Sequence, residues 1–339
     1  MPYILSDGAR LSPEERAEYI KLDWNESGTP PSPVVRMAVA AAAISGDYLH
    51  HYPDCNMLEL RKALAFNAHP DLDADNILVF CGSDGALRCV FDTCLLPMSS
   101  VLISDTTYTQ IDMFAQAVTA VIDFVPSNEL LEKISPRHRL VYICNPNNPD
   151  GIYYDRDGIR DHASNFLDTM FCVDEAYFEF SLKSMAGYVN KHQNIIVTRT
   201  FSKAWGLAGL RIGYAIAHKK TIAMLKNFHN PKDVNALAQV AVLAALRDYQ
   251  YVLDNVRQVE RAMNYTLNAM IAFKLDCVYA GNFITVYHND RDWIVDELFR
   301  HKILVRRLPQ IDNAFRVTIG TQEQMDVFTH VLQEILDRL

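Results

Sequence analysis

The chain has 339 residues, 50% hydrophobic and 22% charged, which is ordinary globular composition with enough length for one large domain or two joined ones. The formal net charge of −9, without a lysine- and arginine-rich block, argues against a nucleic-acid-binding surface. No run approaches the ~18 apolar residues of a membrane span, and the N-terminus lacks the pattern of a secretory signal, so we expect a cytoplasmic protein.

The seven cysteines are scattered along the chain and form no C-x-x-C pair. Several lie in apolar, strand-like runs. We therefore expect free thiols in a reducing compartment and no metal site.

Short apolar runs alternate with helix-length segments through the first two thirds of the chain. An Ala-rich helix is predicted at 34–44. The predicted strands are 77–80, 101–104, 121–125, 140–144, 170–174, 195–199 and 212–217. This alternation indicates an α/β fold with a largely parallel, seven-stranded sheet covered by helices on both faces.

The pattern changes after Pro231, where the chain reads as a smaller α+β unit. Its predicted elements are helices at 234–247, 251–273 and 293–301, strands at 283–287 and 315–319, and a C-terminal helix. We expect a large domain at 46–232 and a small domain formed by 1–45 together with 233–339. Ligand sites are common at such junctions, so the active site is predicted there.

Polar residues that follow the predicted strands are the candidates for chemistry. Asn148, Asp174, Tyr177 and Lys203 each come after a buried strand run, in that order. In an open α/β sheet, ligands bind at the carboxyl ends of the strands. These four side chains are therefore expected to meet at one edge of the sheet.

Lys203 stands in a stretch rich in small hydroxyl and glycine residues, with Arg211 eight positions further on. Such a setting suits a lysine that carries a covalent aldehyde cofactor while its neighbours hold the cofactor's phosphate. A surface lysine beside a Gly-rich turn is the alternative interpretation of the stretch taken alone.

With these motifs together, the chain resembles the pyridoxal-phosphate (PLP) aminotransferases of the aspartate-aminotransferase fold. Within them it is most similar to the histidinol-phosphate aminotransferase branch, and the resemblance covers nearly the whole chain. It implies a large PLP-binding domain with a smaller α+β domain. It also implies that Lys203 is the catalytic residue, which forms a Schiff base with PLP and moves a proton during the reaction.

The same resemblance assigns the other cofactor contacts. Asp174 would face the pyridine nitrogen, whereas Asn148 and Tyr177 would hydrogen-bond the phenolic oxygen. Tyr108 would stack on the ring. The phosphate would be held by the backbone of Ser83 and Asp84, by Ser202 and Arg211, and by Tyr52 from the neighbouring subunit of a homodimer with shared active sites.

Three residues are implied in substrate binding. Arg316 matches the arginine that pairs with a substrate α-carboxylate, and Asn25 lies in a strip expected to contact substrate or cofactor. Arg306 is placed where histidinol-phosphate enzymes bind the phosphate of the substrate, but the adjacent Arg307 leaves open which arginine faces the site.

The chain departs from the family pattern at three positions. Gly85 stands where Glu is common, Asp150 replaces the usual Thr, and His51 replaces the usual Arg. The first departure loosens the match to the branch more than the match to the fold.

The resulting hypothesis is an aminotransferase that moves an amino group to 2-oxoglutarate. The donor would be an amino acid or amino-alcohol phosphate of the histidinol phosphate type, or an aromatic amino acid. One alternative is a PLP-dependent decarboxylase of a phosphorylated amino acid such as threonine phosphate. Another is a non-catalytic binding protein that retains the fold. A nucleotide-binding Rossmann domain is disfavoured because no G-x-G-x-x-G follows the first strand.

Overall fold

The structure, a computed structural model, describes residues 7–339. Its strands are β1 (Ile20–Lys21), β2 (Ile77–Phe80), β3 (Ser100–Ser104), β4 (Val121–Val125), β5 (His138–Cys144), β6 (Met170–Asp174), β7 (Ile195–Thr200), β8 (Gly213–Ala217), β9 (Asp276–Ala280), β10 (Phe283–Tyr287), β11 (Ile303–Leu304), β12 (Arg306–Arg307) and β13 (Ala314–Thr318).

The α-helices alternate with these strands in the first part of the chain and dominate the second. They are α1 (Pro13–Ala17), α2 (Pro33–Ser45), α3 (Asp47–His50), α4 (Leu58–Ala68), α5 (Gly82–Cys94), α6 (Gln110–Ala117), α7 (Arg156–Asn165), α8 (Phe178–Ser181), α9 (Lys219–Leu225), α10 (Ala236–Arg247), α11 (Tyr249–Ala272), α12 (Arg291–Arg300) and α13 (Gln322–Leu336). Short 3₁₀ turns occur at Asp7–Arg10, Ala74–Asn76, Ser127–Glu129, Ala186–Tyr188 and Ala208–Leu210.

A seven-stranded sheet in the order β2-β8-β7-β6-β5-β3-β4 forms the centre of the molecule. Its strands are parallel except β8, which is antiparallel to both neighbours. The central strands are buried along nearly their whole length because helices cover both faces. The predicted largely parallel sheet is confirmed.

The strand register brings polar residues together at one edge of this sheet. Asp174 pairs with Cys144 on one side and with Thr198 on the other. Lys203 follows β7 and Asn148 follows β5, both just past the strand ends. The carboxyl ends of three adjacent strands therefore form a continuous polar edge.

A second sheet, in the order β12-β13-β10-β9, is antiparallel and packs on helices α11, α12 and α13. β1 pairs in parallel with β11 beside it. Strand β9 and the two-residue strands β1, β11 and β12 were not predicted. β9 has little apolar periodicity because most of its residues are only partly buried, and two residues are too few to show any pattern.

The division into domains at 46 and 232 stays a prediction, and its residues 1–6 lie outside the described part. Val35 of α2 and the buried face of α10 share one apolar cluster with the strands of the large sheet. No helix within residues 7–339 has the length and apolar character needed to cross a membrane.

Candidate active site

A cavity of about 930 Å³ opens at the polar edge of the large sheet. It is bounded by the strand ends, by the N-terminus of α5, by residues 24–26 and by the second sheet. Predicted site residues that line it are Asn25, Ser83, Asp84, Tyr108, Asn148, Asp174, Tyr177, Ser202, Lys203, Arg211, Arg306 and Arg316. The structure thus brings together every predicted site residue except Tyr52.

Lys203 lies at the centre of this cavity. Its side chain is half-buried, and Nζ donates a hydrogen bond to the carbonyl of Trp24 at 3.0 Å. Nζ is 6.0 Å from the centroid of the Tyr177 ring. Burial, with a further contribution from the Arg316 cation, lowers the pKa of Lys203 to about 8. A neutral, nucleophilic amine is therefore accessible near neutral pH.

Asp174 forms the floor of the cavity and is 3% exposed. Its carboxylate accepts hydrogen bonds from Tyr142 Oη at 2.9 Å and Thr198 Oγ1 at 3.0 Å. Burial raises the pKa of Asp174 to about 6, although both hydrogen bonds oppose that rise. Among residues 7–339 no Lys or Arg forms an ion pair with it, so the site offers a buried carboxylate to a cationic ligand atom.

Behind Asp174 a buried ionic network fixes the strand ends. Glu175 points away from the cavity and accepts a hydrogen bond from Arg199 Nε at 3.1 Å. Arg199, only 2% exposed, also donates to Ser184 Oγ at 2.7 Å. Trp205, two residues after Lys203, donates to Glu179 at 2.7 Å. These bonds tie the residues next to Asp174 and Lys203 into the core.

Tyr177 is held by two side-chain amides. Its hydroxyl oxygen accepts from Asn25 Nδ2 at 2.8 Å and from Asn148 Nδ2 at 3.1 Å. With its oxygen occupied by two donors, the hydroxyl keeps its own proton for an acceptor in the cavity. The ring packs so closely on Gly281 that a Cβ there would lie 2.5 Å from it, and Gly281 has a φ of 52°.

The N-terminus of α5 and the segment after Lys203 form the opposite end of the cavity. Arg211 donates to Ser202 Oγ at 3.3 Å and to Asp84 Oδ2 at 2.9 Å. Gly82, with a φ of 76°, allows this approach because a Cβ would lie 2.9 Å from Arg211 Nη2. Free helix N–H groups, a hydroxyl and a guanidinium form a suitable site for phosphate.

Tyr108 and Asp84 make a contact that the sequence did not indicate. Tyr108 Oη donates to Asp84 Oδ1 at 2.9 Å, so the Asp84 side chain links the tyrosine to Arg211. The prediction concerned only the backbone of Asp84, and the side-chain contact is additional to it.

Two of the departures from the family pattern have a simple structural account. Asp150 accepts hydrogen bonds from Asn147 Nδ2 at 2.8 Å and from the Ile152 amide at 3.1 Å, so it stabilises its own loop. A Cβ at Gly85 would lie 3.5 Å from Phe80 Cβ, an ordinary contact. Glycine is therefore not sterically required at position 85.

The adjacent arginines of β12 point in different directions. Arg306 lines the cavity, whereas Arg307 donates to Asp292 Oδ1 at 3.2 Å and forms an ion pair with Asp296 on helix α12. Arg316 on β13 donates to Asn148 Oδ1 at 2.6 Å and to the Asp23 carbonyl at 2.9 Å. Of the two adjacent arginines, Arg306 is therefore the one that faces the cavity.

Tyr52 does not lie in the cavity of its own chain. It is 79% exposed, and Lys232 Nζ lies 4.4 Å from its ring centroid. Its predicted role in a neighbouring subunit stays a prediction. His50 and His51 are both exposed.

Sequence reasoning missed three contributors to the site. Tyr142 and Thr198 bind Asp174 from the flanking strands, and the Trp24 carbonyl binds Lys203. Tyr142 interrupts the otherwise aliphatic or thiol-bearing run at 140–144, which was a usable signal. A backbone carbonyl leaves no signal in the sequence. Within residues 7–339 no cluster of three or more His, Cys, Asp or Glu side chains could hold a metal ion.

Known proteins share both the sequence pattern and the fold. The family model for aminotransferase class I and II matches residues 17–332. A dihydroxyacetone phosphate transaminase of Campylobacter jejuni is 33% identical, covering 98% of this chain and 94% of that protein. A histidinol-phosphate aminotransferase of Clostridium botulinum is 31% identical over 94% of this chain and 93% of that protein.

Among solved structures, histidinol-phosphate aminotransferase from Sinorhizobium meliloti in complex with pyridoxal-5′-phosphate has the same fold. Its TM-score is 0.88 at 24% identity, with 98% of each chain covered. The fold and the family resemblance inferred from the sequence are confirmed.

Proposed function

Since the chain belongs to the class I and II aminotransferase family, we propose that it transfers an amino group to 2-oxoglutarate from an amino-alcohol phosphate of the histidinol phosphate type. An aromatic amino acid is the second donor class. The enzyme is PLP-dependent, as its family and its structural neighbours are. The identities of the amino donor and of the acceptor are what we propose.

The residues of the cavity fit PLP. Within residues 7–339, Asp174 is a buried carboxylate that forms no ion pair with Lys or Arg, which suits a protonated pyridine nitrogen. Ser202, Arg211 and the N-terminus of α5 would hold the phosphate, and Tyr177 would donate its proton to the phenolic oxygen. When bound, PLP supplies an electron sink for the electrons of the substrate Cα–H bond.

Lys203 performs the proton chemistry in this proposal. Its amine would hold the cofactor through the aldehyde, and once the substrate amine had taken its place, the same amine would accept the proton from the substrate Cα and return it to the cofactor. The lowered pKa of about 8 lets it both accept and release that proton. Asp174 and Tyr177 keep the ring oriented while this occurs.

One observation carries the choice of a phosphorylated donor. Arg306 and Arg316 are direct cross-strand partners of β12 and β13, so their side chains leave the same face of the sheet, and both line the cavity. A single arginine suffices for an α-carboxylate. Two adjacent guanidinium groups suit the greater charge and three oxygens of a phosphate.

The Campylobacter relative supports the same chemistry. The compound in the name of that relative, dihydroxyacetone phosphate, carries a phosphate and no carboxylate. Histidinol phosphate shares both properties. The proposed donor class therefore agrees with both kinds of relative, which differ in the rest of the substrate.

The test is a matched pair of donors offered to the PLP-loaded enzyme with 2-oxoglutarate, followed by glutamate formation. At low donor concentration, histidinol phosphate should react at least about 100-fold faster than histidinol, because histidinol has no phosphate for the arginines to contact. Aromatic amino acids are tested as further amino donors. Dihydroxyacetone phosphate is tested as an acceptor, with glutamate as the donor. Equal rates with and without the phosphate would contradict the proposed donor class.

The two alternatives are separated by the same assay. A decarboxylase of threonine phosphate would release CO₂ and leave 2-oxoglutarate unused. A non-catalytic protein would give neither product with any donor, even though PLP was bound.

We further propose that the enzyme is a homodimer in which Tyr52 completes the partner's site. Exposed apolar side chains lie near Tyr52 in the sequence, on α2, on α3 and at the start of α4; they are Val34, Met37, Ile44, Tyr48, Leu49 and Leu58. Exposed apolar groups of this extent are typical of a protein interface. Sedimentation at micromolar concentration should give twice the chain mass, and a monomer would contradict the proposal.

A further inference from the structure

A segment outside any helix or strand, residues 23–26, borders the cavity and is here called the cleft strip. The carbonyl of Trp24 accepts the hydrogen bond of Lys203 Nζ at 3.0 Å, and Asn25 Nδ2 donates to Tyr177 at 2.8 Å. Successive residues of the strip thus contact two functional side chains. The position of the strip must be fixed by groups outside it, because no regular structure does so.

A buried ion pair fixes the beginning of the cleft strip. Arg16 Nη1 and Nη2 donate to the two carboxylate oxygens of Asp23 at 3.1 and 2.6 Å. Asp23 is 0% exposed and Arg16 is 9% exposed. A bidentate pair constrains both distance and orientation, and a buried carboxylate is costly unless such a partner holds it. The Asp23 carbonyl also accepts from Arg316 at 2.9 Å.

Arg16 constrains the next residue of the strip as well. Its guanidinium carbon lies 3.7 Å from the centroid of the Trp24 indole, a stacking contact that a lysine cannot reproduce. Gly8 covers the pair: a Cβ there would lie 2.1 Å from Arg16 Nη1 and 2.9 Å from Asp23 Oδ2. A methyl group at this position would therefore displace the ends of these side chains.

We infer that Arg16 is a positioning residue of the active site: it holds the Trp24 carbonyl, through Asp23 and the indole, where that carbonyl accepts the hydrogen bond of Lys203. The carbonyl stabilises the protonated amine. Loss of this bond would favour the neutral amine and lower the pKa of Lys203 further. The inference rests on the proposed role of Lys203 as the residue that attaches PLP.

The other charged groups around Lys203 define the background of this effect. Arg316 on β13 and Arg211 oppose protonation, whereas Glu26 of the cleft strip and Asp84 on α5 favour it. Arg16 Nη2 also lies 3.9 Å from Glu26 Oε2, so both variants used below leave the charge at position 16 unchanged. A change in the protonation of Lys203 would therefore report the position of the strip.

The experiment measures the Lys203 amine in the cofactor-free protein. Competitive labelling with acetic anhydride across pH 6–11, read residue by residue by mass spectrometry, gives its pKa without any enzyme assay. Arg16→Lys retains the charge but loses the fork and the stacking. Gly8→Ala adds one methyl against Arg16 without changing any charge. Both should lower the pKa of Lys203 by about one unit relative to the wild type.

Matched controls separate positioning from general damage. Arg257→Lys alters an exposed ion pair, and Gly158→Ala adds a methyl whose nearest neighbour, Leu131 Cδ1, is at 3.5 Å. Both should keep the wild-type labelling curve. In PLP-loaded enzyme, Arg16→Lys should also lower kcat about tenfold, with the pH optimum displaced in the same direction.

The inference is wrong if Gly8→Ala and Arg16→Lys both leave the Lys203 curve unchanged, or if the controls shift it equally. If Arg16→Lys fails to fold, the result for Gly8→Ala decides. A protein that shows the shift but transfers no amino group from any donor supports the inference and refutes the proposed function, so the two failures are distinguishable.

Discussion

The two ends of the cavity are built in different ways. The cofactor end consists of residues that directly follow strands of one buried sheet, and Asp174 receives its hydrogen bonds from the neighbouring strands. The substrate end consists of the cleft strip and the arginines of a second, smaller sheet. The first is fixed by strand register, whereas the second depends on side-chain contacts between distant parts of the chain. We therefore expect changes at the first end to abolish chemistry and changes at the second to alter selectivity.

The largest effect is expected at Lys203. Lys203→Ala should reduce kcat by at least about 10⁴-fold, since no other described amine occupies the cavity to attach the cofactor or move the proton. Lys220→Ala, an exposed lysine beyond β8, is the matched control and should keep full activity. Amino-transfer rates are measured for both variants at saturating donor concentration. Equal rates for Lys203→Ala and Lys220→Ala would contradict the expected role of Lys203.

Asp174→Asn should come next, with kcat reduced by about 10²- to 10³-fold and KM little changed. The amide keeps the size of the side chain but cannot stabilise a protonated ring nitrogen, so the electron sink is weakened. Asp123→Asn, in the middle of the edge strand β4, provides a control for loss of a partly buried carboxylate. If steady-state kinetics showed that the change at position 174 altered only KM, Asp174 would act in substrate binding and not in the chemistry at the cofactor end.

At the substrate end, Arg306→Lys should raise KM for histidinol phosphate by about 10- to 100-fold and leave KM for an aromatic amino acid nearly unchanged. Arg307→Lys is the natural control because Arg307 contacts α12 instead of the cavity. The reverse pattern, with Arg307 decisive, would show that the geometry of β12 differs in the working enzyme.

The smallest effect concerns stability. Burial raises the pKa of Asp174 from 3.8 to about 6 without PLP, so this group destabilises the folded state once it ionises. The unfolding free energy of the wild type relative to Asp174→Asn should therefore fall by about 2 kcal/mol as pH rises from 4 to 7. Urea unfolding of cofactor-free protein measures this difference, and added PLP should diminish it. A difference that rises with pH would contradict the assigned environment of Asp174.

The same contrast explains what the sequence revealed. Strands β2 and β6 were predicted at their observed bounds because continuous apolar runs mark buried strands, and β4 was predicted at its bounds although its residues are exposed or half-buried. Asp174 and Lys203 could be placed because each directly follows such a run. Arg16, Asp23 and the Trp24 carbonyl could not, since their contacts join segments without periodicity and one of them is backbone. The choice between Arg306 and Arg307 likewise required the strand register.

The central claim is that PLP attaches to Lys203 opposite Asp174, and one measurement tests it directly. The loaded protein is reduced with borohydride, digested and analysed by mass spectrometry. A single phosphopyridoxyl group, on Lys203, is expected. A label on another lysine, or none after saturation with PLP, would contradict it.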